Sequence, residues 1–307
     1  MNISLLVINI INGLIWGVIL GAAAMGLTLL WGVMKVVNIA HGETLLMGAY
    51  LTVVLYASLH LDPLVGMTLA LIIGLIVGAI VYWALLHKLI GRVEIITLKT
   101  EMSTLLIMFA LSIALLNYYY YVFGGEPRGV GTWRIGASSF ISLGFMNIRT
   151  NNIFAAIISI CSVIVVHLLL TKTMLGKSIR AVMQDAQAAS LVGINPVMIK
   201  LLTSVISIGL TTFAGFSILM YEVAITPELA YKYAPIGFVT VVLGGLGSVL
   251  GSFLGGIILG LIYGISKFVF STLLSPTYSD PLALAVVFLV LVLTLLFKPE
   301  GLFGRRG

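Results

Sequence analysis

His41 and Glu43 are the nearest pair of ionisable side chains inside an apolar region of this chain. An imidazole and a carboxylate are the usual partners in general acid–base chemistry. Two residues apart on a helix, however, they do not share a face. His60, His87 and His167 lie near the ends of other apolar runs, and no metal-ligand spacing links them. There is no H-E-x-x-H, no G-x-S-x-G and no C-x-x-C. The single cysteine, Cys161, excludes an intramolecular disulfide and reads as a small core residue within an apolar run. With no nucleophile–base pair and no metal set, the chain reads as a non-enzyme that binds no cofactor of its own.

Polar residues that do no bond chemistry can still guide a solute. In Val36-Val37-Asn38-Ile39-Ala40-His41-Gly42-Glu43, the groups Asn38, His41 and Glu43 stand beside an apolar wall. Ionisable groups at membrane depth are costly and usually face protein or water. A helix break there exposes backbone to a permeating solute, with Gly42 giving close access. The competing reading is a capped turn at the membrane surface: Asn38 or His41 caps, and Glu43 complements the next helix's dipole. Further on, Gly244, Gly245 and Gly247 interrupt an apolar run and predict a discontinuous helix. These seven residues are the candidate substrate pathway.

The elements that must position them are membrane spans. Of 307 residues, 61% are hydrophobic and 8% charged, and the mean hydropathy is +1.20. A soluble domain carries about 25% charged residues, so too little charge is present to coat one. Long unbroken apolar runs exclude a membrane barrel. The fold class is therefore an all-α polytopic membrane bundle, with residues 1–307 forming one transmembrane domain in contact with lipid. Each span needs about 20 apolar residues. Spans are predicted at 9–34, 38–59, 63–87, 102–122, 152–171, 197–221, 235–247, 250–274 and 281–297. The seventh is too short to cross as a straight helix and reads as half of a broken or re-entrant element. No basic residue precedes Lys35, so the start reads as a retained span rather than a signal peptide.

The net charge of +6 belongs to loops and is not a nucleic-acid footprint. Lys35, Lys88, Arg92, Lys99, Lys172, Lys177, Arg180, Lys200, Lys298, Arg305 and Arg306 fall on one side of nine crossings. Basic loops mark the cytoplasmic face, which places the N-terminus outside. The other face receives Arg128, Arg134, Arg149 and Lys232, together with Glu126, Glu228 and Asp280.

The most distinctive segment is polar enough for water yet patterned for a helix. It is Thr173 to Pro196, TMLGKSIRAVMQDAQAASLVGINP. Ile179, Val182, Met183, Ala186, Ala189 and Ser190 recur at helical spacing. Lys177, Arg180, Gln184, Asp185 and Gln187 fall mostly on the other side. Gly193 can supply a left-handed stop, and Asn195-Pro196 reads as the cap and first residue of the next helix. Either this is an ordinary interfacial helix or it docks a cytosolic partner. Docking would use anchors such as Val182, Ala186 and Ala189, with Ala188 small enough for close approach.

Gln187-Ala188-Ala189, three residues, then Gly193 resembles the E-A-A-x-x-x-G docking loop of ABC importer permeases, with Gln in the Glu position. The flanking A-S-L-V-G-I-N, the V-V-N-I-A-H-G-E turn and the tail Pro299-Glu300-Gly301-Leu302-Phe303-Gly304-Arg305 resemble the Liv-type permeases of branched-chain amino acid importers. The resemblance covers nearly the whole chain. It implies a bacterial or archaeal cytoplasmic (inner) membrane, a second related permease subunit, two ABC ATPase subunits and an external solute-binding protein. ATP and Mg would be bound by the ATPases. It also implies an ATPase-docking set of Arg180, Val182, Met183, Asp185, Ala186, Ala188, Ala189 and Gly193. The chain itself carries no G-x-x-x-x-G-K-[ST]. Similar permeases serve branched-chain amino acids, urea, amides or aromatic acids. An ion-coupled secondary transporter or a channel is the different class. The first would place coupling acids at mid-membrane, whereas Glu43 and Glu222 fall near predicted span ends. The second would need charge rings or a carbonyl filter.

Gly13, Gly17 and Gly21, then Gly74 and Gly78, then Gly251, Gly255, Gly256, Gly260 and Gly264 stand at spacings that let helices approach closely. The last run is dense enough to propose a subunit or pore-wall contact, against plain bundle packing. Tyr118 to Tyr121 read as an outer aromatic belt. The loop 124–151 reads as the longest external connection, with a hairpin between Trp133–Ile135 and Ser139–Leu143.

Overall fold

The computed structural model describes residues 3–91, 97–131, 140–142 and 147–304. Eight helices among them are long and apolar enough to cross a membrane. They are α1 (Ile3–Met34), α2 (His41–Leu59), α3 (Pro63–Ile90, with a π turn at Tyr82–Leu86), α4 (Leu98–Phe123), α5 (Thr150–Lys172), α8 (Pro196–Glu222), α10 (Val249–Leu273) and α11 (Pro276–Phe297). Between α5 and α8 lie two short helices, α6 (Met174–Gln184) and α7 (Ala186–Leu191). Between α8 and α10 lies α9 (Leu229–Gly244), 16 residues long. The chain is thus a multi-pass helical membrane bundle.

Local chemistry sets many of the boundaries. Asp62 caps α3 by accepting from Leu64 N–H at 2.9 Å, with Pro63 at the first helical position. Asn195 caps α8 by accepting from Val197 and Met198, followed by Pro196. Gly193, at φ +84°, closes α7, and Ile194 N–H returns to the Ala189 carbonyl at 3.1 Å. The Asn195-Pro196 start and the Gly193 stop were legible in the sequence.

The glycine stripes pack the bundle from within. Gly13 meets Gly260 and Gly264, Gly17 meets Gly256 and Gly260, and Gly21 meets Phe253, so α1 and α10 lie antiparallel and backbone to backbone. A Cβ on Gly17 would sit 2.5 Å from the Gly256 carbonyl oxygen. Gly74 and Gly78 bring α3 against Thr212 and Val205 of α8 in the same way. Lipid chains are as apolar as the side chains they replace, so close packing must supply the attraction that water supplies elsewhere. The expectation that Gly251–Gly264 makes a subunit or pore-wall contact is corrected: Gly256, Gly260 and Gly264 pack on α1, and Gly251 and Gly255 on Thr240 to Gly244 of α9, all within the same chain.

The two ends differ in charge. At one end Arg180 Nη1 donates to the Leu170 carbonyl, Met183 reaches Gly32, and Gly245 meets Gly304. Lys35, Lys172, Lys177, Arg180 and Lys298 therefore share this basic end. At the other, β1 (Arg128–Gly129) pairs antiparallel with β4 (Ala224–Ile225), and β2 (Phe140–Ser142) pairs with β3 (Asn147–Arg149). The hairpin expected between Trp133–Ile135 and Ser139–Leu143 falls mostly outside the described residues, and Phe140–Ser142 takes Asn147–Arg149 as its partner instead. One apolar core cluster serves each end.

Three further expectations are revised. The seventh element starts at Leu229, not 235, and carries Pro235 inside it. It runs as one short helix from the β4 end to the basic end, where Gly245 to Ser248 turn the chain into α10; it is not half of a re-entrant element. The first turn of α2 begins at His41, so 38–40 is not helical. Cys161 is exposed on the outer face of α5, not in the core.

Candidate functional site

The segment between α1 and α2 enters the bundle. Lys35 turns at φ +53°. Val36, Asn38 and Ala40 are buried, and His41 and Glu43 follow at 1% and 2% exposure. Ala40 occupies the N-cap of α2 and makes no side-chain cap bond. The capped surface turn is therefore overturned for Asn38 and His41; Glu43 keeps its place in the first turn. Ser112 Oγ donates to Glu43 Oε1 at 2.6 Å, and Tyr119 Oη donates to the Glu43 carbonyl at 2.8 Å. Both come from α4, so Glu43 is interior rather than at a solvent-facing span end. Gly42 lies against the Ala230 carbonyl of α9. Gly237 makes room for the imidazole: a Cβ there would come 2.7 Å from His41 Cδ2. Asn38 Oδ1, both ring nitrogens of His41 and Glu43 Oε2 are buried and have no hydrogen-bond partner among the described residues.

The glycines of the second candidate pathway stretch lie elsewhere. Gly244 ends α9, and Gly245 and Gly247 adopt φ +103° and +86°, open to glycine at no cost. The tail folds onto this turn. Leu302 N–H donates to the Leu243 carbonyl at 2.8 Å, and Gly301 packs on Gly245. Gly247 and Gly32 flank the methyl end of Met183. The residues Asn38 to Glu43 and Gly244 to Gly247 are thus not one cluster. The first is inside the bundle; the second joins α9, the tail and α6 at the basic end.

The amphipathic segment is two helices rather than one. Asp185 ends α6 and starts α7, accepting from Gln187 N–H at 2.8 Å and Ala188 N–H at 3.0 Å. Ile179, Val182 and Ala189 are buried in the chain's own core, alongside Ile199 of α8. Met183 and Ala186 are half-buried. The surface left open carries Arg180, Asp185, Gln187, Ala188, Leu191, Val192 and Gly193, with Leu191 at 88% and Val192 at 77% exposure.

A polar site that the sequence reading did not assemble lies at the opposite end. A cavity of about 390 Å³ is lined by Asn9, Asn12, Arg149, Asn152, Glu222, Lys232, Lys267 and Asp280, with Phe140, Tyr221 and Tyr263 among its other walls. Lys232 Nζ lies 2.6 Å from Glu222 Oε1, which also accepts from Tyr233. Lys267 Nζ lies 2.7 Å from Asp280 Oδ1, which accepts from Tyr263 Oη at 2.6 Å. The contributors come from different helices, so no local motif marks them. The available signal was Asn9, Asn12 and Lys267 inside otherwise apolar windows, where polar groups are costly.

A bundle of crossing helices with ionisable groups in its interior and a polar cavity at one end has the build of a membrane transport protein. Residues 9–295 match the family described as branched-chain amino acid transport system / permease component, and the chain belongs to that family. It is 29% identical over 301 residues to the high-affinity branched-chain amino acid transport system permease protein LivH of Salmonella typhimurium, covering 96% of this chain and 94% of that protein. It is 28% identical over 301 residues to the corresponding permease BraD of Pseudomonas aeruginosa, covering 97% and 95%. A probable LivH of Methanocaldococcus jannaschii is 27% identical over 299 residues, covering 95% and 91%. No solved structure matches significantly.

Proposed function

We propose that this chain is a permease subunit of an ATP-driven importer that carries branched-chain amino acids or close relatives across a bacterial or archaeal inner membrane. On this reading the basic end is cytoplasmic, as basic loops require, and the cavity end is external. A second permease, two ATPase subunits and an external solute-binding protein complete the assembly, and ATP with Mg resides on the ATPases.

The observation that carries the reading is the surface of α6 and α7. It stands at the basic end, exposes Leu191 and Val192, and belongs to a chain without a phosphate-binding loop. An exposed apolar pair at a helix end is what a groove in a partner accepts. Its inner face holds Met183 beside Gly32 and Gly247, so displacement of α6 reaches α1 and the α9–α10 turn through packed contacts. The buried polar atoms of Asn38, His41 and Glu43 mark the interior break that such movement would rearrange.

The test is reconstitution. Co-expressed permeases, ATPases and binding protein in proteoliposomes should accumulate leucine only when ATP is supplied. Leucine accumulation driven by an ion gradient, with no ATPase present, would assign the chain to the secondary transporters.

A further inference from the structure

The tail after α11 holds a place in the fold that the transport reading does not use. It is a compact turn. Lys298 N–H donates to the Thr294 carbonyl and Gly301 N–H to the Lys298 carbonyl, both at 2.8 Å. Lys298 Nζ donates to the Leu302 carbonyl at 3.0 Å. So built, the tail reaches the end of α9. The last four carbonyls of a helix have no intrahelical partner. In α9, Gly245 N–H takes those of Val241 and Val242, and Leu302 N–H takes that of Leu243. The tail therefore caps a helix that lies two elements earlier in the chain. Glycines make the fit close. A Cβ on Gly301 would stand 2.5 Å from the Val242 carbonyl oxygen, and one on Gly245 would stand 2.5 Å from Gly304 N.

What the tail covers is a soft joint. Gly245 and Gly247 both adopt positive φ, and glycine has more conformational freedom to lose than any other residue. A turn of that composition, left uncovered, yields when it is pushed. It is also where a push from α6 arrives, because Met183 lies against Gly247. On the far side α9 meets the buried break: Gly237 makes room for the His41 imidazole, and Ala234 touches the position of Gly42. Gly237 stands about two turns of helix from Gly244.

We propose that the tail, Lys298 to Gly304, is a clasp that stiffens the α9–α10 turn, so that displacement of α6 moves α9 against the break at His41. Without the clasp the glycines of the turn absorb that displacement. Leu302 is the positioning residue, and it acts through its backbone N–H; its side chain is 39% exposed. The inference rests on the transport reading and adds a required part that neither the docking surface nor the buried break contains. It gives Gly245 and Gly247 a mechanical role in place of the pathway role read from the sequence.

The test uses the complete assembly in proteoliposomes and reads leucine imported per ATP hydrolysed. Leu302→Pro removes the capping N–H. It should keep membrane insertion, Tm and ATPase retention, yet lower that ratio at least about fivefold, the equilibrium weight of one hydrogen bond. Gly301→Ala, which puts a Cβ into the contact, should do the same. Leu302→Ala keeps the N–H and should keep the ratio. A second readout needs no transport: in the purified chain in nanodiscs, exchange of the Gly245 and Ser248 amides should quicken by a similar factor in Leu302→Pro and not in Leu302→Ala. An unchanged ratio in Leu302→Pro, or unchanged exchange, overturns the inference. So does loss of Tm and of ATPase in step with uptake, which would make the tail a structural brace. If the unaltered assembly still imports leucine with ATP in those cases, the transport reading stands without the clasp. If it imports none, the transport reading falls and this inference with it.

Discussion

Tyr119 Oη donates a 2.8 Å hydrogen bond to the backbone carbonyl of Glu43, tying the outer half of α4 to the first turn of α2. Its neighbours Tyr118, Tyr120 and Tyr121 are exposed, as an interfacial belt requires. Tyr119 is turned inward because it continues a buried stripe through Thr104, Met108 and Leu116. The carboxylate beside this bond is held by Ser112. Tyr119→Phe should lower stability in detergent by about 1 kcal/mol, the usual net worth of one hydrogen bond. Thermal unfolding of the purified chain measures it.

Glu43→Gln keeps the shape and removes the charge. If the buried break takes part in transport, ATP-driven uptake should fall while the subunits still co-purify. Unchanged uptake with only a lowered Tm would leave Glu43 a structural group.

Gly17→Leu places a side chain where the backbone of α10 already stands. Overpacking of this kind typically costs about 1–3 kcal/mol or more, so the yield of monodisperse protein should drop sharply. Gly125→Leu is the control, because nothing lies within 4 Å of a Cβ there. Equal yields for the two would show that the α1–α10 contact is dispensable.

Sidedness is tested by single cysteines in a Cys161→Ala background, needed because Cys161 is exposed. Lys177→Cys at the basic end and Glu126→Cys at the other are both exposed positions. In intact cells an impermeant maleimide should label Glu126→Cys and spare Lys177→Cys. Labelling of both from outside would sink the map.

The spans were legible because each is a long apolar run, and local signals such as Asn195-Pro196 and Gly193 bound some of them. What the sequence hid was nonlocal. Nothing near Glu43 announces Ser112 or Tyr119, and a polar residue after a span reads as a surface turn until its distant partners are placed. The start of α9 was hidden by Pro235, which punctuates most helices yet sits in the second turn here. There its missing N–H costs one bond, to the exposed Tyr231. The break at Asp185 was hidden because apolar spacing continues through it from Val182 to Ala186 and Ala189. Only the side chain's acceptance of two N–H donors divides the helix. The cavity was assembled from six helices and a hairpin, so its ion pairs left no pattern along the chain.

The division at Asp185 changes which residues a docking experiment must alter. Val182 and Ala189 were expected to face a partner, but they are packed into this chain's own core. Ala189→Trp should therefore damage the permease itself, by about 1–3 kcal/mol of overpacking, and would say little about docking. Leu191 and Val192 are the apolar groups left outside. Replacing both with Asp adds charge where nothing in this chain is packed, and surface changes of this kind usually alter stability by no more than about 0.5 kcal/mol each. In a partner's groove the same change buries two charges without counter-ions, which costs far more. The double variant should keep its Tm and its membrane insertion, yet lose the ATPase on purification or hydrolyse ATP without moving leucine. Arg180→Ala should matter less for docking, because its guanidinium is turned back to the Leu170 carbonyl. Normal ATPase retention and normal uptake in Leu191→Asp/Val192→Asp would show that α6 and α7 are only an interfacial connection.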